Sequence, residues 1–192
     1  TIIKKYSDYI PYPIELTYTF NDKTETKVVN SMIPIWKKPK KDVTDEEYTS
    51  FYNDKFYDYE KPLRVIKNKV EGMVTFDSLI FIPSHAPYDY YNKSYEKGLQ
   101  LYSKGVMIME KCKELVPDYF SFINGIVDSE DLELNISRET LQHNHQIQVI
   151  AKAVESKVKK ELLDMLKENR EDYEKEHHIF KFRFCSPALC IL

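Results

Sequence analysis

Glycine is scarce in this chain, at 4 of 192 residues. So few glycines cannot build the loops that cradle phosphates, and neither a GxxxxGK(S/T) nor a GxGxxG pattern occurs. A role with nucleotide would need most of its phosphate site from elsewhere. Cysteine is sparse too. Cys112, Cys185 and Cys190 form an odd, irregular set without a CxxC pair, which fits free thiols in a reducing compartment rather than a disulfide framework. A charge excess is missing: 28 basic and 31 acidic residues leave a net charge of −3, which argues against a nucleic-acid binder driven by a uniform basic field. No signal peptide or long apolar span is present, so neither a leader nor a membrane partner is expected. Arginine is limited to Arg64, Arg138, Arg170 and Arg183, against a lysine-rich background. His143 and His145, two apart on a helix, point to different faces and make a poor metal pair.

What is present suits a globular domain. Hydrophobic content is 42%, mean hydropathy is −0.53, and aromatics reach 14%, with 15 Tyr and 10 Phe. Residues 14–20 alternate as a strand, Asn21-Asp22-Lys23 reads as a turn, and residues 25–29 return as a second strand. Ile33 to Trp36 begins an extended segment broken by prolines. The basic cluster Lys37-Lys38-Pro39-Lys40-Lys41 reads as a solvated loop. Thr44-Asp45-Glu46-Glu47 is a capping box, and Tyr48, Phe51, Tyr52 and Phe56 follow at helical spacing, so a short helix should lay these aromatics on a sheet. Residues 63–71 and 74–82 read as strands, and the apolar run Leu79-Ile80-Phe81-Ile82 implies a strand covered on both faces. The prolines of Pro83 to Tyr91 exclude a regular element. Residues 99–109 read as one strand with Val106 to Met109 buried, and 117–123 as a short helix. The longest helix is predicted from about Ser137, with Leu141, Ile147, Ile150, Ala151, Val154, Val158, Leu162 and Leu166 on one face. Mixed strands and helices in this order predict an α/β (α+β) sheet packed between helices.

The run Val127 to Gln142, VDSEDLELNISRETLQ, concentrates the chemistry. Its lone Arg138 stands at a loop-to-helix junction between Asn135 and Gln142, placed to offer a planar fork of donors to an oxyanion. Ser137 reads as an N-cap, and an ordinary surface loop explains the same residues without any ligand.

This run resembles the catalytic-loop segment in the middle domain of heat-shock protein 90 chaperones, of the bacterial type. Ile33-Pro34-Ile35-Trp36, Asp45-Glu46-Glu47-Tyr48 with Phe51-Tyr52, Val70-Glu71-Gly72, Leu79 to Pro83, Ala86-Pro87-Tyr88-Asp89 and Leu115 to Tyr119 resemble the same family, in its order, up to about Tyr173. The resemblance implies a three-layer α-β-α sandwich of ribosomal-protein-S5-domain-2-like topology over residues 1–168. The start of a helical coil, or an atypical tail, would follow over 169–192.

It also implies a function: the middle segment of an ATP-dependent chaperone of the stress response, cytoplasmic, acting on partly folded clients. By that likeness Arg138 would reach the γ-phosphate of ATP bound, with Mg, in a separate N-terminal domain, assisted by Gln142 and with Asn135 shaping the loop. The chain alone would be neither an ATPase nor a metal protein. Its partners would be client proteins and the parent's own N- and C-terminal domains. Dimerisation of the parent would rest on the C-terminal domain, leaving this segment monomeric. Trp36 reads from its residues as either a core anchor or an exposed contact; the resemblance implies an exposed client contact, shared with Tyr88, Tyr90 and Tyr91 on the proline-bounded loop. Two alternatives remain at this level: the middle domain of a related DNA-repair or topoisomerase ATPase, and a stand-alone protein-interaction module.

Overall fold

The computed structural model describes residues 2–20, 23–87, 90–92, 94–132 and 145–168. Thr1, residues 21–22, Tyr88, Asp89, Lys93, residues 133–144 and residues 169–192 lie outside them.

A short helix α1 (Ile2–Tyr6) leads into the predicted hairpin, β1 (Glu15–Phe20) and β2 (Lys23–Val28), paired antiparallel with Glu15 opposite Val28. Its described side chains are exposed on both faces. Cross-strand contacts hold it: Thr17 Oγ1 lies 3.0 Å from Thr26 Oγ1, and the Tyr18 hydroxyl donates to Glu25 at 2.6 Å. Its root is fixed by Asn30, which accepts from Ile14 N at 2.8 Å and donates to Ile10 O and Tyr12 O.

Among the described residues the main sheet has five strands: β3 (Arg64–Val70), β4 (Phe76–Ile82), β5 (Leu99–Ser103), β6 (Val106–Cys112) and β7 (Asn124–Asp128), in the spatial order β3-β4-β7-β5-β6. The β5–β7 pairing is parallel and the others antiparallel. Helix α2 (Asp45–Phe56) covers one face and α3 (His145–Glu168) the other, which makes the three layers. The alternation of β4 shows how one strand feeds both cores. Phe76, Ile80 and Ile82 face the α3 side with Ile147, Ile150, Val154, Val158, Leu162 and Met165, whereas Leu79 and Phe81 face Tyr48 and Tyr52 of α2. The expected capping box closes α2: Thr44 Oγ1 accepts from Glu47 N at 3.2 Å, and Glu47 Oε2 accepts from Thr44 N at 2.9 Å.

Several expectations are revised. Residues 99–109 are not one strand. Lys104 (φ 51°) and Gly105 (φ 79°) turn the chain between β5 and β6, both in the positive-φ conformation of a tight hairpin turn. A Cβ on Gly105 would stand 2.2 Å from Tyr9 O, so only glycine fits. Of Val106 to Met109, only Met107 is buried, because β6 is an edge. The predicted short helix at 117–123 is a single 3-10 turn, Asp118–Phe120. On α3, Met165 rather than Leu166 completes the buried face. Ile33 to Trp36 is not extended: Lys37 N donates to Pro34 O at 3.1 Å and folds the segment into a turn. The amine of Lys67, from β3, holds that turn by donating to Ile35 O and Lys38 O.

The central strand, β7, was not expected at all. Asn-Gly normally marks a turn, but here Gly125 admits a close neighbour: a Cβ would lie 2.6 Å from Leu79 O.

Candidate functional site

Strand β7 ends at Asp128, on the α2 side of the sheet and ten residues before Arg138 in sequence. Alternation places Val127 in the α3 core and Ile126 in the α2 core, so Asp128 points its carboxylate into the aromatic layer. Its side chain is 0% exposed. Trp36 Nε1 donates to Asp128 Oδ2 at 3.0 Å. Lys37 Nζ stands 3.5 Å from the same oxygen and 2.8 Å from Glu130 Oε1. The remaining oxygen, Oδ1, is buried without a hydrogen-bond partner. Such an orphan acceptor costs about 1–3 kcal/mol, so this carboxylate is an expensive fitting.

The electrostatics follow from the crowding. Asp77 sits opposite Asp128 across the β4–β7 register. Burial raises the Asp77 pKa and the charge of Asp128 adds to it, against the pull of Lys37, Lys69 and Lys67. Burial works to discharge Lys37, yet its hydrogen bond to Glu130 and the field of Asp128 prevail and raise its pKa. Glu130 is held below the usual range, chiefly by the Lys37 hydrogen bond.

Three of the next four residues are fastened to β5 or to Thr75, just before β4. Ser129 N donates to Tyr102 O at 3.1 Å, and Ser129 Oγ to Thr75 O at 2.8 Å. Asp131 Oδ2 accepts from Thr75 N at 2.7 Å, and Ser103 Oγ donates to Leu132 O at 3.0 Å. From the far limb, Gln146 Nε2 on the first turn of α3 donates to Asp131 O at 3.4 Å. The segment carrying Arg138 thus leaves from a pinned stem and returns to a helix bonded to that stem. Arg138, Gln142 and Asn135 themselves lie outside the described residues, as does Tyr88.

The exposure that the resemblance implies for Trp36 is corrected: it is 1% exposed. Its ring packs edge-on against Tyr9 at 4.6 Å and lies 5.3 Å from Tyr102, so the indole is the hub of the aromatic core and spends its one polar atom on Asp128. Tyr90 is corrected likewise. It is fully buried, with its hydroxyl 3.1 Å from Ser121 Oγ and its ring edge-on to Tyr95. Tyr91 keeps 58% of its surface. Lys37, Lys40 and Lys41 are exposed, as expected of the basic cluster, and the Lys37 amine is in addition paired with Glu130 and Asp128.

Sequence reading passed over Asp128 and Ser129 as members of an acidic loop. The available signal was an acid and a serine directly after the apolar Ile126-Val127. Among the described residues, no three of His, Cys, Asp and Glu are grouped to hold a metal ion, and no helix is long and apolar enough to cross a membrane. Cys112 is buried, and burial pushes its thiol up to about 12, which leaves it unreactive.

Comparison with known proteins agrees with this architecture. A family model described as "Hsp90 protein" matches residues 18–184. The chaperone protein HtpG of Oceanobacillus iheyensis is 50% identical over 185 residues, covering 91% of this chain and 30% of that protein. HtpG of Clostridium acetobutylicum is 52% identical over 191 residues, covering 94% of this chain and 31% of the relative. The chain therefore spans less than a third of the length of the curated relatives it matches. Among solved structures, the middle domain of a putative heat shock protein of Plasmodium falciparum superposes with a TM-score of 0.69 at 28% identity, covering 79% of this chain and 58% of that one. On the family match, the half-identical relatives and the shared fold, the chain belongs to the Hsp90 family.

Proposed function

We propose that this chain is the middle segment of an ATP-dependent chaperone and that it carries Arg138 to the γ-phosphate of ATP held, with Mg, by a separate N-terminal domain. The observation that carries this reading is the stem. Residues 128–132 are bonded to the sheet and to Trp36, and α3 is bonded back to the stem through Gln146. A cation delivered to a phosphoryl group is useful only if its mount is fixed beforehand. Arg138 would neutralise charge gathering on the phosphoryl oxygens, Gln142 would bond within the same region one helical turn on, and Asn135 would shape the loop. Client contact falls to the loop bearing Tyr88 and the exposed Tyr91, since Trp36 and Tyr90 are buried. The setting is the cytoplasm, the partners are partly folded proteins and the parent's own N- and C-terminal domains, and the parent is a homodimer built from monomeric segments of this kind. The half-identical chaperone relatives speak against a DNA-repair or topoisomerase middle domain.

The test is steady-state ATP turnover by the full-length protein with Arg138→Ala. Turnover is expected to fall at least about a hundredfold, as for loss of other preorganised charge-stabilising groups. Wild-type turnover in a folded variant would overturn the assignment.

A further inference from the structure

The Trp36–Asp128 pair, with the Lys37–Glu130 ion pair beside it, joins two parts of the chain that are far apart in sequence. One partner lies on the turn between the exposed hairpin and α2; the other is the last residue of the central strand, at the foot of the Arg138 segment. We propose that Asp128 is a positioning residue for Arg138, acting through Trp36 and Lys37 to lock the stem of that segment to the turn at 35–38. This rests on the reading of Arg138 given above.

Three observations carry it. The Asp128 carboxylate is buried and only half satisfied, with Oδ2 bonded and Oδ1 left bare, so it is a poor investment in stability alone. Its hydrogen-bond donor Trp36 and its ion-pair partner Lys37 are consecutive residues of a turn that is itself braced: Lys67 caps Ile35 O and Lys38 O, and Tyr9, Phe51 and Tyr102 enclose the indole. The bracing continues past Asp128, where Ser129 and Asp131 are both tied to Thr75, just before β4, and Leu132 to Ser103 of β5. The turn therefore fixes the direction in which the chain leaves the sheet. A small reorientation at Asp128 would be carried along the following residues toward Arg138.

The experiment compares ATP turnover by the full-length protein carrying Asp128→Ala, Asp128→Asn, Trp36→Phe, Arg138→Ala, and the double change Asp128→Ala with Arg138→Ala. Thermal unfolding verifies that each is folded. Asp128→Ala is expected to lower kcat by about tenfold to a hundredfold with KM for ATP unchanged, the signature of a misplaced catalytic group rather than a lost binding contact. Asp128→Asn keeps an acceptor for the indole N–H and should recover part of the rate, while Trp36→Phe should lower kcat less than Asp128→Ala. The double variant should be no slower than Arg138→Ala alone, because Asp128 works only through the arginine. Wild-type kcat in folded Asp128 and Trp36 variants, with Arg138→Ala slow, would overturn the positioning role and leave the Arg138 reading intact. So would a double variant slower by the product of the two single effects. Wild-type turnover in Arg138→Ala would instead sink the underlying reading. Should Asp128→Ala fail to fold, the Asn and Phe variants decide the question by the same criteria.

Discussion

The two faces of the central sheet solve different problems with the same strands. The α3 face is largely aliphatic: Ile66, Ile80, Ile82, Leu99, Leu101 and Val127 meet the stripe Ile147 to Met165, with Phe76, Phe120 and Phe122 filling the wider gaps. The α2 face is built mainly from rings, namely Trp36, Tyr48, Tyr52, Phe81 and Tyr102, edged by Tyr9, Phe51 and Phe56. Aliphatic side chains have no direction to impose beyond their shape, so the α3 face holds the sheet together. Tyrosine and tryptophan carry one polar atom each, and that atom usually takes a partner when buried, the Tyr48 hydroxyl being an exception. Tyr52 donates to Asp58 at 2.5 Å, Trp36 to Asp128 at 3.0 Å, and Tyr102 accepts from Lys55 at 2.9 Å. Burial lowers the Lys55 pKa, and its ammonium lies over the Tyr9 and Tyr102 rings. The lesson is a division of labour: one face supplies cohesion, the other orientation, and the stem of the Arg138 segment begins, at Asp128, on the orienting face.

That contrast can be broken at several points. Ile150→Ala empties a fully buried site at the centre of the α3 stripe and should cost about 2–5 kcal/mol in denaturant unfolding. A loss under about 1 kcal/mol would mean the aliphatic face is not the main source of cohesion. Tyr52→Phe keeps the ring and removes only its hydroxyl bond, so it should cost about 1 kcal/mol, less than the isoleucine change. A larger loss than that of Ile150→Ala would invert the contrast.

The smallest effect concerns the ionic seam that ties β3 to α3. Burial acts to raise the Glu161 pKa, but hydrogen bonds from Lys157 and Arg64 outweigh it and hold it below its ordinary value. A carboxylate with a depressed folded pKa contributes stability that is complete above its unfolded value, about 4.3, and is lost as pH falls through the lower folded value. Unfolding free energy followed from pH 6 to pH 2.5 should therefore decline less steeply in Glu161→Gln than in the wild type. Parallel curves would remove the seam from the account of the α3 face.

The sequence announced what depends on periodicity or on local chemistry. The α3 stripe, the capping box at Thr44 and the two-sided run of β4 all follow from spacing that any fold must respect. What it hid depends on distant partners. Gly125 looks like turn chemistry until Leu79 is laid across it, and a turn at Lys104-Gly105 hides inside a run of strand-forming residues. Trp36 is the sharpest case at the site. Both core anchor and exposed contact suited a proline-bounded segment, and only the buried Asp128, far along the chain, decides between them. The resemblance located the Arg138 segment but gave no hint of its stem, because Asp128 and Ser129 look like solvated loop residues when read in line.

The sheet order carries a consequence for how the domain is made. The strand at its centre, β7, is the last of the described strands to leave the ribosome. Until residues 124–128 emerge, the β3–β4 and β5–β6 hairpins have no strand to join them, and β4 and β5 each present an unpaired edge. Assembly of the sheet is thus a late, non-local event, slow by the logic of contact order and exposed to mispairing while it waits. The same few residues that close the sheet also begin the stem at Asp128, so the site is set in place only when folding of the sheet is complete.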